Sequence, residues 1–271
     1  MPKTRLDVLL VECGLAESRS LAQRLVMAGQ VRVNGQVVLK PSTSVPSDAA
    51  LSLDKGPQYV SRGGEKLEAA LEAFDIPVQG KLCADVGAST GGFTDCLLQR
   101  GALQVYAIDV GQGILDWKLR QDPRVVVMES TNARFVEHLP VPVELVTIDA
   151  SFISLKILLP VVKGWLPDRE DAGGGVIALI KPQFEAGREL VARGKGVIRD
   201  PLVHQQIVAE LLAFAQSTDY SLHGLIRSPI LGPKGNTEFL AYFQLSAHAG
   251  KSAPELLQAC FVQEGEASNL P

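Results

Sequence analysis

The sequence predicts an α/β protein: a Rossmann-like sheet of seven strands, preceded by a small α+β domain. Three observations carry this. Residues 81–100 pass from an apolar strand through a turn holding Gly87, Gly91 and Gly92 into a helix. Further apolar runs recur downstream at helical spacing, each ending in polar residues. The first forty residues carry another pattern, two short amphipathic helices followed by valines alternating around Asn34-Gly35. At 271 residues and 46% hydrophobic composition, the chain can build a sizeable core and two domains.

In order, 5–14 and 19–28 read as helices, the first ended by Gly14, the second capped by Ser18 and stopped by Gly29. Residues 31–38 read as a hairpin, because Asn-Gly accepts the left-handed backbone that a tight turn needs. Residues 41–48 form a polar connector, and Gly56-Pro57 marks the exit from a first domain spanning 1–58. The second domain, 59–246, opens with Ser61-Arg62-Gly63-Gly64-Glu65-Lys66-Leu67 at a helix start, where a lysine opposes the helix dipole. Its strands are predicted at 81–86, 104–108, 125–128, 145–148, 176–180, 222–226 and 239–245, with a helix over 201–216. A tail, 247–271, carries a short docked helix at 254–261 and a disordered end from 264. Polar residues thus collect at strand carboxyl ends, where open α/β sheets bind ligands.

The glycines fall as G-x-x-x-G-G, with Asp85 two positions ahead of the first, and not as the G-x-G-x-x-G of a dinucleotide site. Without Cβ atoms the loop lets a ligand approach the backbone, and the following helix start offers unpaired N–H groups. Asp109, ending the second strand, suits the two hydroxyls of a ribose, and Thr131 and Asn132 suit the edge of an adenine. The spacing resembles that of S-adenosylmethionine-dependent methyltransferases. That resemblance assigns Asp85, Gly87, Ala88, Ser89, Thr90, Gly91, Gly92 and Phe93 to the cofactor cradle.

The N-terminal segment resembles the S4 RNA-binding domain over residues 4–53. Arg5-Leu6-Asp7, Ser18-Arg19, Ala22, the run from Gly29 to Gly35, Lys40-Pro41-Ser42 and Val45 carry the likeness in order. It implies binding of structured RNA through phosphates and shape, with Arg5, Arg19, Arg24, Arg32, Lys40 and, beyond the domain, Arg62 as contacts. Charge agrees weakly: residues 1–60 carry an excess of two positive charges and the remainder an excess of six negative ones.

Four motifs together, at 61–67, 85–94, 149–155 (Asp149-Ala150-Ser151-Phe152-Ile153-Ser154-Leu155) and 181–185 (Lys181-Pro182-Gln183-Phe184-Glu185), resemble the TlyA family. Its members, often labelled haemolysins, join an S4 domain to an FtsJ-like methyltransferase domain and methylate ribose 2′-hydroxyls of ribosomal RNA. The resemblance implies a Lys-Asp-Lys-Glu set at Lys66, Asp149, Lys181 and Glu238, a cytidine target, and ribosomal RNA or subunits as partners; the oligomeric state is left open, with a monomer favoured.

The chemistry fits such a set. The donor methyl is already activated, so the protein must align the reacting atoms, and no metal is required. A ribose hydroxyl is a poor nucleophile near neutral pH, and a lysine beside another cation in a partly desolvated pocket can accept its proton. Lys181 is read as that base, Lys66 and Asp149 as orienting it and the hydroxyl, and Glu238 as holding the lysines. Phe152 reads either as a platform for a base pulled from its helix or as core. Arg188, Arg193, Lys195 and Arg199 read as a basic loop facing RNA phosphates.

Other classes fit less well. The cysteines Cys13, Cys83, Cys96 and Cys260 lack metal-site or disulfide spacing, which predicts a reducing cytoplasm. No run approaches ~18 apolar residues and no signal-peptide pattern opens the chain, so neither a membrane span nor secretion is expected. A membrane-lysing segment would have to be 155–166, which Lys156, Pro160 and Lys163 interrupt. A non-catalytic RNA-binding protein would not need the intact loop, Asp109 and both lysines.

Overall fold

The computed structural model describes residues 2–54, 56–167, 174–186, 194, 196–245 and 250–261. The chain divides into two compact units, residues 1–58 and 59–271.

In the first unit, β1 (Lys3–Arg5) leads into α1 (Leu6–Glu12), followed by α2 (Arg19–Met27), β2 (Val31–Val33), β3 (Gln36–Val37), β4 (Ser44–Pro46) and β5 (Leu51–Leu53). Ser18 caps α2, its hydroxyl accepting the Leu21 N–H at 3.2 Å. Asn34 and Gly35 take φ of 51° and 82° and join β2 to β3 as the expected hairpin. The expected connector 41–48 instead holds β4, which pairs antiparallel with β1, while β5 adds to β2. Three-residue strands with polar or prolyl members show no alternation of their own, so pairing with distant segments defines them. Leu6, Leu10, Ala22, Val26 and Val31 form a fully buried core.

The second unit contains α3 (Gly63–Ala73), β6 (Leu82–Val86), α4 (Gly92–Gln99), β7 (Gln104–Ile108), α5 (Trp117–Arg120), β8 (Val125–Met128) and β9 (Leu145–Ile148). It continues with α6 (Leu155–Lys163), β10 (Gly175–Ile180), α7 (Pro182–Glu185), α8 (Pro201–Ser217), β11 (Ser221–Arg227), β12 (Phe239–Gln244) and α9 (Ala253–Phe261). The seven strands lie in the order β11-β12-β10-β9-β6-β7-β8. Strands β6 to β10 pair parallel, and β12 pairs antiparallel with both β10 and β11. Seven of the sequence-derived strands therefore form one sheet, and α9 docks by Leu256 and by Phe261, whose ring lies 5.1 Å from that of Phe239. The expected disordered end, 264–271, lies outside the described residues.

Strand periodicity of two divides the side chains between two cores. Ala84, Val86, Ile108, Val146, Ile148 and Ile180 pack on one face, and Cys83, Val105, Ala107, Leu145 and Leu179 on the other. Asp85 takes the second parity, which turns it under α4.

Candidate active site

One rim of the sheet gathers the expected residues. Gly87, Asp109, Asp149 and Lys181 are each the first residue beyond a parallel strand. Because β12 runs against β10, with Phe239 opposite Ile180, Glu238 arrives at the same rim. Lys66 comes from the first turns of α3.

The four residues form two ion pairs. Lys66 Nζ lies 2.5 Å from Glu238 Oε2, and Lys181 Nζ lies 2.6 Å from Asp149 Oδ1. Lys181 also donates to Ser151 Oγ at 3.0 Å and to the Asp149 carbonyl at 3.4 Å. Lys66, Lys181 and Glu238 are all buried, at 8%, 7% and 1% exposure, so each charge depends on its partner. The reading in which Glu238 holds both lysines is thus refined: each lysine has its own carboxylate. All four line a cavity of about 380 Å³ that also touches Gly87, Ser89, Thr90 and Phe93.

Glycines shape this cavity. Gly87 has φ of 83°, and a Cβ there would lie 2.7 Å from the Asp149 carbonyl oxygen. The paired glycines at 63 and 64 meet the loop directly, since a Cβ on Gly92 would strike Ser61 Oγ at 2.3 Å and one on Gly64 would enter the Tyr59 ring. A Cβ on Gly232 would lie 2.0 Å from Glu238 Oε1, so that glycine makes room for the carboxylate.

A second cavity, about 260 Å³, shares Gly87, Ser89, Asp149 and Ser151 with the first. Asp109, Thr131 and Asn132 border it, with apolar walls at Ile114, Ile153 and Leu158. Asp109 accepts the N–H of Ser89 at 2.8 Å and of Gly111 at 2.7 Å, one on each oxygen, which fixes the carboxylate and leaves lone pairs for hydroxyl donors. Asn132 accepts the Arg134 N–H at 3.2 Å, and Thr131 donates to the Glu129 carbonyl at 3.0 Å.

Asp85 does not reach either cavity. It is fully buried, accepting the hydroxyls of Thr94 at 2.7 Å and Thr147 at 3.1 Å, and burial pushes its carboxyl up to about 7 against the pull of those two donors. Its place is beneath the loop, tying β6 to α4 and β9. Gly91 likewise stands back from both cavities, and its φ of 100° turns the chain into α4. Ala88 lines the first.

Sequence reasoning missed several supporting residues. Glu129 accepts the N–H groups of Gly113, Ile114 and Leu115 and pairs with Arg120, which holds its carboxyl down to about 2 and fixes the loop walling the second cavity. Glu185 accepts the Ser154 hydroxyl at 2.5 Å and the Leu155 N–H at 2.7 Å, pinning the loop after Asp149. Ser151 and Gln183 line cavities beside Lys181. Ser151, Ser154, Gln183 and Glu185 stand in the motifs at 149–155 and 181–185, but only the fold brings the partners together, so local sequence carries no mark of what each one does.

Of the expected RNA contacts, Arg5 and Arg19 converge on Asp7, which is fully buried. Arg5 donates to both carboxylate oxygens at 3.0 and 2.9 Å, Arg19 at 3.0 Å and Gln23 at 2.8 Å. The Arg5 guanidinium, helped by Gln23 and Arg19, holds the Asp7 carboxyl well below the usual range. Arg32 lies 3.3 Å from Asp54, while Arg24 and Lys40 are exposed. Arg62 is exposed at the edge of the first cavity. Phe152 is 90% exposed, which excludes the core reading, and its backbone is left-handed, with φ of 63°. Arg199 is exposed, whereas Arg188, Arg193 and Lys195 lie outside the described residues.

Comparison with known proteins agrees with this architecture. The family model described as FtsJ-like methyltransferase matches residues 59–245, and that of the S4 domain matches residues 4–50. YqxC of Bacillus subtilis is 48% identical over 262 residues, 93% of this chain and 90% of that protein. The 16S/23S rRNA (cytidine-2′-O)-methyltransferase TlyA of Mycobacterium tuberculosis is 44% identical over 261 residues, 95% of this chain and 96% of its own. A solved structure from Streptococcus thermophilus, of a protein carrying the hemolysin label, superposes with a TM-score of 0.72 at 43% identity, covering 98% of this chain and 97% of that one. With an FtsJ-like methyltransferase model matched over residues 59–245, an S4 model over 4–50 and TlyA 44% identical over 95% of this chain, the chain belongs to the TlyA family of methyltransferases.

Proposed function

We propose that this chain transfers a methyl group from S-adenosylmethionine to the 2′-hydroxyl of a cytidine in ribosomal RNA. The observation that carries the reading is the Lys181 amine, held between Asp149 and Ser151 at the mouth of a cavity that also contains Lys66, Glu238 and the Gly87 turn. The name of the Mycobacterium tuberculosis relative supports the cytidine and the ribosomal substrate.

The residues present fit the cofactor. Two adjoining cavities meeting at Gly87 suit an elongated ligand with a polar amino-acid end and a nucleoside end. Asp109 would accept the ribose hydroxyls, Thr131 and Asn132 would meet the adenine edge, and the glycine loop would hold the rest. When bound, the cofactor supplies a methyl group activated on a positively charged sulfur.

The protein's own work is alignment and proton removal. The hydroxyl loses a proton as its oxygen gains the methyl, and the Lys181 amine, once its own proton has left to solvent, is placed to take it. Asp149 and Ser151 accept N–H groups of that amine and so aim its free lone pair at the cavity. Glu238 fixes Lys66 as a second cation beside the oxygen, where developing negative charge is stabilised in a water-poor site. Exposed Phe152 stacks on a base drawn out of the RNA fold, and Arg24, Lys40 and Arg62 contact phosphates.

The hemolysin label of relatives brings no supporting observation. Leu155, Leu158, Leu159 and Val162 of α6, the candidate lytic segment, are buried in the core, and among the described residues no helix is long and apolar enough to cross a membrane. The test is to incubate the protein with unmodified ribosomal subunits and tritiated S-adenosylmethionine and map the label. Label on a cytidine 2′-oxygen is expected, and label on a base nitrogen or carbon would overturn the reading.

A further inference from the structure

Beyond Lys181, on the side away from the glycine loop, lies a cavity of about 350 Å³ bordered by Phe152, Phe184, Gln183 and Lys234. Lys181 borders both this space and the cavity of the two ion pairs. A ribose presented to its amine therefore has its base within reach of this space. The aromatic wall is real: the Phe152 and Phe184 rings lie 4.9 Å apart, and the Lys181 amine sits 5.9 Å from the Phe184 ring centre.

Gln183 is 9% exposed, and its Oε1 is buried with no hydrogen-bond donor among the described residues. Native proteins rarely leave such an acceptor empty, and an exception points to a group that arrives from outside. Lys181 is committed to Asp149 and Ser151. The two-residue offset on α7, started by Pro182, holds the Gln183 amide and the Lys181 amine on the same cavity.

We infer that Gln183 is a base-reading residue: its side-chain amide pairs with the Watson–Crick edge of the nucleotide whose ribose is methylated. The inference rests on the proposed RNA methylation. An amide carries one acceptor and one donor group side by side, matching the amino N–H and ring nitrogen of cytosine. Rotated by half a turn, it matches uracil equally. Gln183 therefore secures a flipped pyrimidine against the aromatic wall and does not by itself separate cytidine from uridine.

The test compares wild type with Gln183→Met, which keeps length and removes both hydrogen-bonding groups. Each is assayed on subunits reconstituted with the mapped nucleotide either intact or abasic, with S-adenosylmethionine affinity as the check on folding. On the intact target the variant should lose about 10-fold in kcat/KM at unchanged cofactor affinity. On the abasic target the two proteins should be equal. An equal loss on both targets would assign Gln183 a structural role, and no loss on the intact target would remove it from recognition; either overturns the inference. Absence of any ribose label with wild type would instead sink the methylation reading, and this inference with it.

Discussion

Among the described residues each unit has one aspartate with no exposed surface, Asp7 and Asp85, and the two carboxyls are driven in opposite directions. Asp7 meets two guanidinium groups and stays charged far into acid, while Asp85 meets uncharged donors, the hydroxyls of Thr94 and Thr147 among them, and burial wins. The contrast extends outward. In the first unit the cations around Asp7 remain about half exposed, at 45% for Arg5 and 56% for Arg19, available to a polyanion. At the rim of the second unit the two lysines are themselves buried, each against one carboxylate. Exposed charge acts over a Debye length and attracts RNA; enclosed charge acts over one bond and can move a proton.

The largest test of that division is Lys181→Ala, which should reduce methyl transfer ~10³-fold while calorimetric S-adenosylmethionine affinity persists. Turnover within a few-fold of wild type would remove the amine from the chemistry. Glu238→Gln keeps the shape beside Gly232 but leaves Lys66 with a neutral partner, and transfer should fall ~10²-fold in single-turnover assays.

Asp85→Asn tests the other buried carboxyl through stability. A folded-state value raised to about 7 means that, between roughly pH 4 and 7, the native protein holds a proton that the unfolded chain has lost. Wild-type stability should therefore fall as pH rises through that window. The variant should lack this slope and be more stable above pH 7 by roughly 2 kcal/mol, about half of what the full shift would give. Asp7 predicts the reverse sign: its contribution is present above the ordinary carboxylate range and is lost as pH falls through its depressed folded value. Chemical denaturation of wild type and Asp7→Asn across pH 2–7 would check it. The smallest effect is expected from Arg24→Ala with Lys40→Ala, a several-fold loss of RNA affinity that flattens the salt dependence by about one unit of slope per residue, with catalysis on bound RNA unchanged.

The sheet was legible because parallel strands buried on both faces are written as unbroken apolar runs. Gln104–Ile108, Val125–Met128 and Leu145–Ile148 have the expected limits. In the first unit the hairpin around Asn34-Gly35 was legible too, but Ser44–Pro46 and Lys3–Arg5 were not, since they exist only by pairing with each other. The same logic divides the site. Gly87, Asp109, Asp149 and Lys181 stand at strand ends and could be assigned by position and resemblance. In sequence Glu238 reads as holding both lysines, and that it pairs with Lys66, 172 residues away, and leaves Lys181 to Asp149 emerges only from the fold. Asp85 has the right motif but the wrong parity for the cavity, and Gln183 resembles any helix glutamine until its empty acceptor is seen in place.

The reversed direction of β12 has a bearing on how the protein is made. The residue just ahead of that strand supplies the last member of the set at the rim, so a ribosome must have emitted the 172 residues that separate Lys66 from Glu238 before Lys66 meets its counter-charge. Until then a nascent chain can hold its first unit complete while the rim lacks one carboxylate, and the Lys66–Glu238 ion pair closes only as β12 enters between β10 and β11.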